Sequence, residues 1–68
     1  MTKILARDDS FVLVVDEIGD EEGFVFDTTS KTKSEKKLVS MFLRHGYWES
    51  VSEVEEKELL SRIQNDNS

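Results

Sequence analysis

The sequence predicts a small two-layer α+β domain, in which a three-stranded antiparallel meander is followed by two helices in the order βββαα. Three observations carry this. Short apolar runs at strand period occupy the chain before residue 28. The apolar period then lengthens to that of a helix. There is no proline, and the three glycines, Gly19, Gly23 and Gly46, fall where turns are wanted.

Residues 3–7 form a first, weakly marked strand. Arg7-Asp8-Asp9-Ser10 reads as a turn, because Asp and Ser side chains bond neighbouring backbone groups. Residues 11–16 are the best strand, rich in β-branched side chains. Residues 17–23 make an acidic connection. Phe24-Val25-Phe26-Asp27 is the third strand, and short turns between short strands favour a meander.

Thr32-Lys33-Ser34-Glu35 matches a capping box, in which Thr bonds an early amide and Glu bonds back. Leu38, Val39, Met41, Phe42 and Leu43 follow at helical spacing, and Gly46 is a C-terminal stop. These signals place a first helix over 33–45. Ser52-Glu53-Val54-Glu55 is a second capping box, and Leu59, Leu60 and Ile63 form the apolar stripe of a helix over 53–64. Val54 lies off that stripe. Glu53 with Lys57 and Glu58 with Arg62 are i,i+4 pairs in the favoured order. A single domain over 1–64 with a frayed tail over 65–68 follows.

A chain of 68 residues with no cysteine has a thin core and no disulfide or thiolate–metal site. Absence of cysteine fits a reducing compartment. The longest unbroken apolar run, Phe11-Val12-Leu13-Val14-Val15, is too short to span a bilayer, and the N-terminus shows no signal-peptide core. A cytoplasmic protein without membrane contact is the expectation.

The formal net charge of −6 is unevenly distributed. Residues 1–29 carry two basic and eight acidic side chains, residues 30–48 five and one, and residues 49–68 two and six. An acidic, basic, acidic order results. On a helix over 33–45, Lys33, Lys37 and Arg44 would form one basic stripe. Lysines at a helix start are opposed by the helix dipole, so either an internal acidic partner or a phosphate-like ligand would face them.

Asp16, Glu17, Asp20, Glu21 and Glu22 crowd the second connection. A calcium loop fails on spacing: counted from Asp16, its third position is Ile18 and its sixth is Glu21, where an oxygen ligand and a glycine are required. No metal site and no cofactor are expected. The loop is either a solvated turn or a contact surface for a basic partner. Carboxylates on a hairpin could also imitate a phosphate row in a basic groove.

His45 is the only histidine and falls in the last turn of the expected helix, where a cation is electrostatically favourable. No phosphate loop, metal motif or nucleophile elbow is present, so no catalytic residues are assigned. Tyr47 and Trp48 either close the core or serve as exposed anchors, since both types dominate binding hot spots. Phe11, Leu13 and Val15 alternate with Val12 and Val14, so the central strand is apolar on both sides. If both helices cover one face, Val12, Val14 and Val25, with Ile4 or Leu5, remain as a sheet-face or homodimer interface.

The function these features favour is a non-catalytic protein-binding module that regulates or inhibits a macromolecular partner by occupying its surface. Asp16, Glu17, Asp20, Glu21, Glu22, Tyr47 and Trp48 are its candidate contacts, and the partner is a protein with a basic surface. Two alternatives stand beside it: a structural homodimerising domain, and an acidic mimic of nucleic acid. Direct nucleic-acid binding is disfavoured. The connection over 46–52 is long for a helix-turn-helix, and the second helix is rich in Glu, which phosphate repels.

Overall fold

A computed structural model describes residues 1–66. The protein is a small α+β domain, an antiparallel sheet with two helices. The strands are β1 (Lys3–Asp8), β2 (Phe11–Val15), β3 (Glu22–Asp27), β4 (Thr32–Lys33) and β5 (Lys37–Leu38). The helices are α1 (Val39–Arg44) and α2 (Glu53–Asp66).

The first three strands form the expected meander, in the order β1-β2-β3. A two-residue turn joins β1 to β2, with Asp8 opposite Phe11 and Asp9 at φ 55. Asp tolerates this left-handed conformation better than most residues do.

Residues 32–38 differ from expectation. They form the short strands β4 and β5, not the start of a helix. Thr32 and Lys33 pair with Asp27 and Phe26, while Lys37 and Leu38 pair with Gly23 and Glu22. Between these pairs the register advances by one residue, which makes a bulge on the outer side of β3. Ser34 bridges the gap. Its N–H donates to the Val25 carbonyl at 2.8 Å, and its Oγ accepts the Val25 N–H at 2.9 Å. The turn before it is held by Asp27, whose carboxylate accepts the Thr29 N–H at 2.9 Å. That bond, with weaker ones from Ser30 and Ser10, holds the Asp27 carboxyl below its ordinary pKa. The physical reason for the difference lies in β3. A helix over 33–45 would have left a row of β3 backbone groups without partners, and β4, Ser34 and β5 satisfy them.

Only α1 remains of the expected first helix. With it goes the basic stripe: Lys33 and Lys37 stand on strands and Arg44 ends α1. Lys33 Nζ lies 5.6 Å from the centroid of the Phe24 ring. Lys36 Nζ reaches Asp16 at 3.4 Å, so part of the basic segment faces the acidic loop of the same chain.

The second helix starts where expected. Ser52 Oγ accepts the Glu55 N–H at 3.3 Å, and the Ser52 carbonyl accepts the Glu56 N–H at 2.8 Å. The helix continues to Asp66, two residues past the expected end. Residues 67 and 68 of the expected frayed tail lie outside the described residues.

The two helices do not share a face of the sheet. Cross-strand partners lie on the same side. Val12 pairs with Phe26 and Val14 with Phe24, so these four share one face, with Ile4. Ile63, Leu59 and Leu60 of α2 cover it, together with Val51. Leu13 pairs with Val25 on the opposite face, where Val15, Leu5, Val39, Phe42 and Trp48 gather. The sheet is therefore sandwiched, with α2 on one side and α1 with Trp48 on the other.

This corrects the expected interface of Val12, Val14 and Val25. Val12 and Val14 are 1% and 0% exposed, and Val25 belongs to the other side. The route of the chain explains it. After α1, Glu49 pairs with Arg7 along the outer edge of β1, through N–H to carbonyl bonds of 2.9 and 2.8 Å. The connection thus rounds that edge and delivers α2 to the far face.

Both sheet edges are also closed to strand addition. On β1, Glu49 occupies the backbone of Arg7, and the Glu56 carboxylate accepts the Ile4 N–H at 2.9 Å. The other edge is bulged and carries Lys33, Glu35, Lys36 and Lys37. Bulges and lysines are the usual protections of a free edge.

Candidate functional site at the acidic end of the sheet

β2 separates two ends of the molecule. At one end lies the β1–β2 turn, and at the other the loop over 16–21. The candidate contact residues divide between them.

The acidic loop is exposed along its whole length. It has a defined shape. Gly19 takes φ 98, the Asp20 carboxylate accepts the Glu17 N–H at 3.0 Å, and the Asp20 N–H donates to the Glu17 carbonyl at 3.2 Å. The two bonds between Glu17 and Asp20 close the turn from within. Asp16 is engaged by Lys36 across 3.4 Å, a distance at which an exposed pair is worth little. Among the described residues no group of three or more His, Cys, Asp or Glu is placed to hold a metal ion.

The loop does not stand apart from the helix. The Val39 N–H donates to the Glu21 carbonyl at 2.8 Å, which fastens the start of α1 to the end of the loop. Between them runs a groove of about 330 Å³, lined by Asp20, Glu21, Leu38, Val39, Ser40 and Leu43. Val39 is buried at its floor, while Leu38 and Leu43 remain 45% and 46% exposed. Val39 and Leu43 are four residues apart on one side of α1, so they present a continuous apolar wall. Ile18 at the loop and Met41 on α1 are exposed as well.

This groove is not legible in the sequence. By spacing alone, Leu38, Val39 and Leu43 read as the apolar stripe of a long helix. The available signal was an excess: five apolar residues within six positions from Leu38 to Leu43 exceed what one face of a helix buries.

Tyr47 and Trp48 sit at the opposite end and face different surroundings. Tyr47 is 89% exposed, and its N–H donates to the Asp8 carboxylate at 3.1 Å. It borders a polar cleft of about 220 Å³ with Arg7, Asp8, Asp9 and Glu49. Arg7 there is turned to Glu55 of α2 at 3.2 Å. Trp48 is half-buried against the cluster of Leu13, Val15 and Val39. Its indole N–H is shared between the carbonyls of Phe42 at 2.8 Å and His45 at 2.9 Å. Trp48 thus closes the C-terminus of α1, where carbonyls lack helical partners. His45 occupies the C-cap in an extended conformation, its N–H donating to Phe42. The structure therefore brings together Asp16, Glu17, Asp20, Glu21 and Glu22, adds Leu38 and Leu43 to them, and sets Tyr47 and Trp48 apart.

No helix among the described residues is long and apolar enough to cross a membrane. Compared with protein-family models, with curated proteins and with solved structures, the chain matches none.

Proposed function

We propose that the protein acts by binding another protein through the end of the molecule formed by the 16–22 loop and α1, and that it regulates that partner by occupying its surface. One observation carries this reading: the most acidic exposed loop lies beside an exposed apolar groove, Leu38–Leu43 on one wall and Asp20 with Glu21 on the other. Interfaces with lasting affinity combine an apolar centre with a polar rim, and clustered charge speeds encounter with an oppositely charged surface. No catalytic step is proposed. The homodimer reading loses the feature that suggested it, since both sheet faces are covered from within the chain.

Affinity capture from the source cell tests the proposal. The wild-type chain is compared with a variant carrying Asp20→Asn, Glu21→Gln and Glu22→Gln. The expected result is a reproducible protein partner that the variant recovers at least about tenfold less well, as the loss of several close charge pairs implies. An identical set of captured proteins, or none with either chain, would count against it.

A further inference from the structure

We infer that the groove between Glu21 and α1 receives an apolar side chain from a short basic segment of the partner, with Asp20 and Glu21 pairing the lysines or arginines that flank it. This rests on the partner-binding reading above and adds the chemistry of the partner. The walls of Leu38, Val39 and Leu43 offer dispersion and burial, with the Ser40 hydroxyl the one uncharged polar side chain beside them, so they favour an apolar group over a polar one. The rim is acidic, and every nearby loop carboxylate, Glu17 and Glu22 included, has the same sign. Asp16, which has Lys36 at its side, lies outside the groove lining. An acidic segment is repelled and a neutral apolar one ignores the rim. The backbone bond from Val39 to Glu21 holds acid and apolar wall at a fixed separation, so the two features act on one ligand.

A second copy of this chain does not fit. Its basic stretch sets a basic residue against an apolar one at Lys37-Leu38 and at Leu43-Arg44, and both leucines already line its own groove while Lys36 is turned to Asp16. The occupant is therefore a different protein.

The experiment uses the full chain, labelled with nitrogen-15, and three capped hexapeptides as probes: Lys-Lys-Leu-Leu-Lys-Lys, Lys-Lys-Ser-Ser-Lys-Lys and Glu-Glu-Leu-Leu-Glu-Glu. The first is expected to shift the amides of Asp20, Glu21 and residues 38–43 saturably. The second should bind about tenfold more weakly and the third not at all. Leu43→Ser, at a half-exposed position that leaves the core intact, should weaken the first peptide about tenfold without changing the second. Asp20→Asn with Glu21→Gln should weaken both basic peptides. If the Leu and Ser peptides bind this end equally well, charge alone operates there: the groove inference falls and the partner-binding reading survives. If no peptide binds at millimolar concentration, or the shifts fall on the glutamates of α2, both fall. Self-association that blocks the peptide would assign the groove to a second copy and overturn the inference.

Discussion

Replacing Gly23 by alanine should cost about 2–4 kcal/mol of folding stability. A Cβ at this position would lie 2.5 Å from the Val14 carbonyl oxygen and 2.9 Å from Val15 Cγ1. The first of these is backbone in the central strand and cannot swing aside. Gly23 is also the residue through which β3 meets Lys37 of β5, so a shift there disturbs pairing on both its sides. The stability of a chain this short is roughly 3–10 kcal/mol, so the loss is a large fraction of the total. Gly19→Ala is the informative comparison. Nothing lies within 4 Å of a Cβ there, and its φ of 98 alone opposes the substitution. A cost of about 1 kcal/mol is expected. Urea unfolding followed by far-ultraviolet circular dichroism separates the two. Equal midpoints for both variants would contradict the close approach of β2 and β3.

Trp48→Ala should be the next most damaging change, at about 2–4 kcal/mol. The indole covers Leu13, Val15 and Val39, and its N–H serves two carbonyls at the end of α1. Trp48→Phe keeps most of the apolar cover and loses the shared hydrogen bond, so about 1–2 kcal/mol is expected. The readout is circular dichroism, because Trp48 is the only tryptophan and its fluorescence is lost with it. Amide exchange adds a spatial test: protection should fall first over Val39–Arg44, and last over α2, which packs on the other face. A Trp48→Ala variant as stable as wild type would mean that the indole is an exposed anchor and not part of the fold.

Several elements were legible in the sequence for clear reasons. The strand over residues 11–15 is marked by β-branched apolar side chains, and the start of α2 by Ser52 and the glutamates after it. In each case a short-range preference and the final environment agree. They disagree over 32–38. Thr32 and Glu35 have capping-box spacing, yet Thr is equally suited to a strand, and the unpaired edge of β3 decides between them. That edge exists only in three dimensions. The two-sided apolar character of Phe11 to Val15 was also visible, and it correctly implies cover on both faces. What supplies the second cover is the path of residues 45–52 around β1, fixed by Glu49 against Arg7, and backbone pairing of this kind leaves no pattern in side-chain type. At the candidate site, the carboxylates were evident from composition. The apolar wall beside them was not, because a stripe of six residues reads as core until the helix that bears it is known to be short.

The proposed binding end is tested most directly by hydrogen–deuterium exchange on the chain mixed with whatever protein the affinity capture recovers. Protection on binding is predicted over residues 18–22 and 38–43, at the end of the sheet where the loop is fastened to α1. Protection confined to α2, to the outer edge of β1 or to the cleft beside Tyr47 would contradict it.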